Sequence, residues 1–198
     1  MSLQQIKEKA LENRVPIIMD DTLEKIVELL KEVKPKRLLE IGAAVGYSAI
    51  CFEKYVSLKI DTIEQDEERF LEAKENIESL GLTDKINLIK GNAVEILQNM
   101  NIENEEDKYD FVFIDAAKSK YPIFLEEALK LTTKNAVIVA DNVLFKGYVL
   151  SDYNAHKQRT AVRHLREFLQ MIKDNENLDS EILEIGDGLA VIKRKEVH

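Results

Sequence analysis

The chain has 198 residues, 45% hydrophobic and 33% charged, which supports a packed core and excludes a disordered or low-complexity chain. Its 28 Lys+Arg against 37 Asp+Glu leave a net charge of −9, so a generally basic nucleic-acid binder is excluded and any such role must rest on a local patch. One cysteine, Cys51, excludes an intramolecular disulfide and a cysteine-built zinc site, and the lack of a long uncharged apolar run argues against a secretory leader or a membrane span, so a cytoplasmic location is expected.

Two amphipathic segments, about Leu3–Asn13 and Asp21–Val33, open the chain as helices, with Val15-Pro-Ile-Ile-Met19 as an extended apolar link between them. Strand and helix patterns then alternate. Short apolar runs at Arg37–Ile41, Lys59–Glu64, Ile86–Lys90, Tyr109–Ile114 and Ala136–Ala140 read as strands, the last two near-continuously apolar as expected of strands covered on both faces. Helical patterns fill the gaps at Tyr47–Val56, Glu67–Leu80, Val94–Met100 and Tyr121–Leu131. This spacing implies a parallel sheet with right-handed crossovers. A long helix at about Ala155–Lys173 follows, then two strands, Ser180–Ile185 and Leu189–Lys193, joined by the turn signal Gly186-Asp187-Gly188. The expected fold is α/β and Rossmann-like: a seven-stranded mixed sheet with helices on both faces and a C-terminal antiparallel hairpin.

Ligands of an open parallel sheet bind beyond the carboxyl ends of its strands. After the first strand stands Glu40-Ile-Gly-Ala-Ala-Val-Gly46-Tyr-Ser48. Its glycines, Gly42 and Gly46, are four apart, without the three-glycine dinucleotide spacing or the Lys-Ser/Thr of a phosphate loop, so a pyrophosphate is not the favoured ligand. Glycines placed for packing alone remain the plainer alternative. Glu64 ends the second strand, where an acid can accept ribose hydroxyls, although the acids that follow it also suit an ordinary helix start. Gly91-Asn92-Ala93 ends the third strand and places an amide where an adenine edge could be read. Glu40 is an acid inside an apolar strand, costly unless hydrogen-bonded. Together these residues suit an adenosyl ligand without phosphates, of which S-adenosylmethionine is the common one.

The fourth strand ends in Asp115-Ala-Ala-Lys118 and the fifth in Asp141-Asn142. Three oxygen ligands, Asp115, Asp141 and Asn142, favour a hard cation such as Mg2+ that keeps sites for water or substrate. A turn and a helix cap explain the same residues more plainly. Lys118 beside a dication would lose its proton more readily and could take one from a substrate hydroxyl.

The loop Glu40-Ile-Gly-x-x-x-Gly46, the acid at Glu64 and Gly91-Asn92-Ala93 resemble the class I S-adenosylmethionine-dependent methyltransferases. Asp115-Ala-Ala-Lys118, Asp141-Asn-Val-Leu-Phe-Lys-Gly147 and Gly186-Asp-Gly-Leu-Ala190 narrow the likeness to the metal-dependent O-methyltransferases of the catechol and caffeoyl-CoA type, from about Pro16 to Lys195. Within that group Pro16-Ile-Ile-Met19 and the same loops are most similar to the bacterial tRNA 5-hydroxyuridine methyltransferases. The resemblance implies one domain over residues 1–198, with the helices of residues 1–34 capping the cofactor site. It implies cofactor contacts at Met19, Gly42, Ser48, Glu64, Asn92, Ala93 and Asp115, metal ligands at Asp115, Asp141 and Asn142, and catalysis by Lys118 with Asp115. Asn92 departs from the family's usual Asp. A homodimer is also implied.

For the substrate, residues 116–170 carry nine Lys/Arg and five Asp/Glu in an otherwise acidic chain. Arg159, Arg163 and Arg166 recur on one helix face, and with Lys146 they form a candidate contact to polyanionic tRNA. Phe145, Tyr148 and Tyr153 are candidates for stacking on bases. A solvated helix face is the plain alternative. The resulting expectation is wobble 5-hydroxyuridine methylation, with a small catechol-like substrate or a non-catalytic RNA-binding scaffold as alternatives. His156 and His164 have no paired acid or cysteine to support a catalytic role, and Cys51 reads as a small core residue.

Overall fold

The computed structural model describes residues 1–145, 147–150 and 159–196. Helices α1 (Leu3–Glu12) and α2 (Asp20–Val33) lead into β1 (Arg37–Ile41), α3 (Tyr47–Val56), β2 (Lys59–Glu64), α4 (Glu67–Ser79), β3 (Ile86–Lys90), α5 (Ala93–Asn99), β4 (Tyr109–Ile114), α6 (Tyr121–Leu131), β5 (Thr132–Ala140), α7 (Arg159–Asp174), β6 (Leu178–Leu183) and β7 (Leu189–Arg194). The seven strands are ordered β3-β2-β1-β4-β5-β7-β6. The first five run parallel, and β7 pairs antiparallel with both β5 and β6. The mixed sheet and its terminal hairpin are therefore as expected. Strand β5 begins four residues before the expected Ala136, because Thr132 pairs with Tyr109 ahead of a register shift.

Alternation along the strands divides the interior into two cores. Leu38, Phe111, Phe113, Val137 and Val139 face α1, α2 and α3. Leu39, Val112, Ile114, Ile138 and Ala140 face α6 and α7. Cys51 is fully buried in the first of these cores, as expected. Each layer carries a perpendicular aromatic pair, Phe52 on Phe113 with centroids 5.4 Å apart and Tyr121 on Phe168 at 5.5 Å.

Two contacts shape the sheet end that carries the loops. Order reverses between β1 and β4, where chains leave in opposite directions and open a crevice. Gly42, at φ +103°, lies so close to β4 that an added Cβ would stand 2.1 Å from the Asp115 carbonyl oxygen. Only glycine allows that approach. At the far side, Gly186 donates its N–H to Asp21 Oδ2 at 3.1 Å, tying the β6–β7 turn to the start of α2. Among the described residues, no helix is long and apolar enough to cross a membrane.

Candidate active site

A cavity of about 610 Å3 opens at this sheet end, inside the range of about 300–1,000 Å3 usual for small-ligand sites. It brings together Met19, Gly42, Ser48, Glu64, Asn92, Ala93, Asp115, Lys118, Asp141 and Asn142 from six separate stretches of chain. Pro16, Ile17 and Ile18 of the link before α2 form an apolar wall beside Met19. Of the candidate substrate contacts, Arg163 is not on this lining, Lys146 lies outside the described residues, and nothing is described of the Arg159 side chain.

On the β1–β3 side the polar groups are satisfied within the chain. Glu64 is buried, and its two oxygens accept the N–H groups of Ala44 and Asp66, each at 2.8 Å. Ala44 is itself in the left-handed region, φ +45°, a strain of about 1–2 kcal/mol that the Glu64 contact helps hold. Each Glu64 oxygen keeps a further lone pair for a ligand hydroxyl. Asn92 is the N-cap of α5; its Oδ1 accepts from Val94 N at 2.9 Å and Glu95 N at 3.4 Å. The cap uses the acceptor of the amide and leaves Nδ2 as the group with hydrogens to offer a ligand. Glu40 lies beneath the loop, fully buried, and accepts from Ser48 Oγ at 2.5 Å and from Thr62 Oγ1.

The β4–β5 side is arranged differently. Lys118 Nζ stands 3.1 Å from Asp115 Oδ1, 3.0 Å from Asn142 Oδ1 and 3.3 Å from the Asp141 carbonyl oxygen. Tyr121 OH lies 2.6 Å from the same ammonium and donates to the Asp141 carbonyl oxygen at 2.8 Å. Sequence reasoning passed over Tyr121; its only signal is an aromatic three residues after Lys118. The Asp141 carboxylate is turned toward the Asn142 N–H, 2.6 Å away. Burial, and then the neighbouring Asp115 charge, push the Asp141 carboxyl well above the usual carboxylate range. Asn142, at φ +56°, is in the left-handed region that Asn tolerates better than most residues.

This arrangement suits a divalent cation. Two carboxylates and an amide are hard oxygen donors, and a protein cation, the Lys118 ammonium, already bridges Asp115 and Asn142. Among the described residues no group of three or more His, Cys, Asp or Glu side chains could hold a metal, so the candidate set is this mixed one of two acids and an amide.

Of the remaining candidates that the structure describes, all but Phe145 sit away from the cavity lining. Arg166 turns toward the loop after β5, donating to the carbonyls of Val149 at 3.0 Å and Tyr148 at 3.2 Å. Arg163 is exposed and 3.6 Å from Glu167. Phe145 lines the cavity and meets Tyr148 edge-on at 6.2 Å. His164 Nδ1 lies 3.2 Å from Glu167 Oε2, away from the cavity. Tyr153 and His156 lie outside the described residues.

A switch-point crevice with an acid on β2 and no phosphate loop is the arrangement expected of a class I S-adenosylmethionine-dependent methyltransferase. Comparison with known proteins agrees: the model of the O-methyltransferase family matches residues 2–195, and the chain belongs to that family. It is 32% identical over 179 residues to the catechol O-methyltransferase of Niastella koreensis, covering 85% of this chain and 79% of that one. It is 30% identical to the caffeoyl-CoA O-methyltransferase of Populus kitakamiensis, covering 84% of this chain and 73% of the other. Among solved structures, the O-methyltransferase from Bacillus cereus in complex with S-adenosylhomocysteine is 27% identical, with a TM-score of 0.84 over 98% of this chain and 90% of that one.

Proposed function

We propose that the protein uses Mg2+ to transfer a methyl group from S-adenosylmethionine to a ring hydroxyl that has a second oxygen beside it, and that this hydroxyl belongs to wobble 5-hydroxyuridine of tRNA, giving 5-methoxyuridine. The observation that carries the chemistry is the meeting of Asp115, Asn142, Asp141 and Lys118 at the mouth of an adenosyl-sized cavity.

On this reading Glu64 accepts the ribose hydroxyls, Asn92 Nδ2 faces the adenine edge, and Ser48 and Asp115 meet the methionyl end. Ile17, Ile18 and Met19 cover the cofactor and exclude water. Asp115, Asp141 and Asn142 would hold a divalent cation, which when bound would supply Lewis acidity to the substrate hydroxyl. Lys118 Nζ, 3.1 Å from Asp115 Oδ1, is the group placed to take up that hydroxyl proton, while Tyr121 OH keeps the lysine turned toward the acids. The transfer neutralises charge, so holding donor and acceptor in line supplies much of the rate.

Residues 116–170, with nine Lys/Arg and five Asp/Glu, support the polyanionic substrate, and Lys118 and Lys120 both line the mouth of the cavity. A small catechol-like substrate is the second reading, favoured by the names of the relatives. Nucleoside mass spectrometry of tRNA from a deletion strain separates the two. Accumulated 5-hydroxyuridine is the expected result; an unchanged profile together with turnover of catechols by the purified protein overturns the tRNA substrate in favour of the second. A homodimer is part of the proposal, and a monomeric mass in light scattering would remove it.

A further inference from the structure

Glu40 is an ionisable group that no cation among the described residues meets. It is fully buried near the carboxyl end of β1 and has no place on the cavity lining. Among the described residues its side-chain hydrogen-bond partners are two hydroxyls, Ser48 on α3 and Thr62 on β2. The titratable groups that face it are Asp115 beyond β4 and Glu64 on β2, both acids, and Cys51 on α3, whose thiol burial pushes up to about 12. Burial raises the Glu40 carboxyl to about 7; the two hydroxyls oppose that shift, and Asp115 and Glu64 add to it. The residue can therefore gain or lose a proton near neutral pH at small cost.

The state of Glu40 dictates what Ser48 offers the cavity. A hydroxyl has one proton and two lone pairs, and an ionised carboxylate can only accept. With Glu40 ionised, both hydroxyls must donate to it, and Ser48 shows the cavity lone pairs alone. With Glu40 protonated, its O–H can donate to Ser48 Oγ, and the Ser48 proton becomes available to a ligand. Thr62 goes on donating to the other Glu40 oxygen in either state.

The methionyl end of the cofactor carries an ammonium and a carboxylate. The Asp115 carboxylate attracts the ammonium. The carboxylate is favoured at the other side of the loop, where Ser48 stands in the first turn of α3, at the positive end of that helix. A carboxylate there is met by the first-turn N–H groups and gains a further donor from the Ser48 hydroxyl, which Ser48 cannot supply while it donates to an ionised Glu40. We propose that Glu40 is a positioning residue that takes up a proton from solvent as the cofactor binds, turning Ser48 from an acceptor into a donor toward the cofactor carboxylate. This rests on the reading of the cavity as the S-adenosylmethionine site.

The test is calorimetric titration with S-adenosylhomocysteine, without metal or substrate, in buffers of different ionisation enthalpy. At pH 8 the protein should take up close to one proton on binding, and the uptake should fade as pH drops below about 6. Above neutral pH the affinity should weaken by up to about tenfold per pH unit, as linkage of one proton requires. Glu40→Gln offers Ser48 a permanent N–H donor; it should bind with an affinity that does not change between pH 6 and 8.5 and with no proton uptake. Ser48→Ala should bind more weakly and also lose the uptake, so it serves if the Gln variant does not fold. Binding by the wild type with no proton uptake at pH 8 overturns the proposal alone, as does uptake that persists in both variants. A wild type that does not bind S-adenosylhomocysteine overturns the cofactor reading and this proposal with it.

Discussion

The two halves of the cavity hold their acids in opposite ways. On the β1–β3 side Glu64 accepts two backbone N–H groups, Glu40 two hydroxyls, and Asn92 caps a helix. Each is fixed by groups that cannot leave. On the β4–β5 side Asp115 and Asn142 share the Lys118 ammonium, at the end of a four-carbon stem, and the buried Asp141 carboxylate accepts from the adjacent backbone N–H, its one hydrogen bond among the described residues. On the proposed reading, one half is preorganised for a neutral sugar and base. The other keeps an excess of negative charge that a movable cation balances in part, which is what a site for a dication requires.

Breaking the second half should have the largest effect. Asp141→Ala should lower Mg2+-dependent turnover by more than about 100-fold, beyond what loss of an outer-shell metal partner costs, while S-adenosylhomocysteine affinity stays within a few-fold. Steady-state rates with calorimetry check both, and a fully active variant would erase the contrast. Lys118→Met should reduce kcat by about 100-fold, the lower end of general-base effects. The same change removes a positive charge from the acids, so Mn2+ should bind several-fold tighter by electron paramagnetic resonance; unchanged affinity would mean the ammonium does not occupy the cation position.

A smaller effect concerns stability. Because the folded Asp141 pKa lies above its unfolded value, the protonated group stabilises the metal-free protein fully below about pH 4, and that contribution is lost as pH rises through the folded value. Asp141→Asn should remove the loss, raising the metal-free Tm at pH 8 by a few degrees, at about 2–4 °C per kcal/mol for a chain of this size. Mg2+ should raise the wild-type Tm and leave the variant's unchanged. Equal melting curves across pH 4 to 8 would contradict the strained, unbalanced side. The smallest effect is expected outside the cavity: Arg163→Glu should weaken tRNA binding and reduce the salt slope by about 1–2, read by filter binding at several salt concentrations. An unaltered slope would take the α7 face out of substrate binding.

Local pattern carried the fold. Alternation and apolar runs located every strand to within a few residues, because a strand covered on both faces needs them wherever it lies. Glycine placement marked the loop at Gly42 and the turn at Gly186-Asp187-Gly188 for the same kind of reason. The ends of strands then named the cavity, since sheet topology alone brings those ends together.

What the sequence by itself determined was thus the order of elements, the mixed sheet and the residues that would line its carboxyl end. Only the tertiary structure decided what those residues do with their hydrogen bonds. It turned the Asn92 acceptor into a helix cap, closed two hydroxyls on Glu40, set Tyr121 beside Lys118 and drew Arg166 to the carbonyls of Tyr148 and Val149. Periodicity records which face of an element is apolar; it holds no information on which of several donors, 20 or more residues away in several cases, a polar atom will meet once the faces have packed.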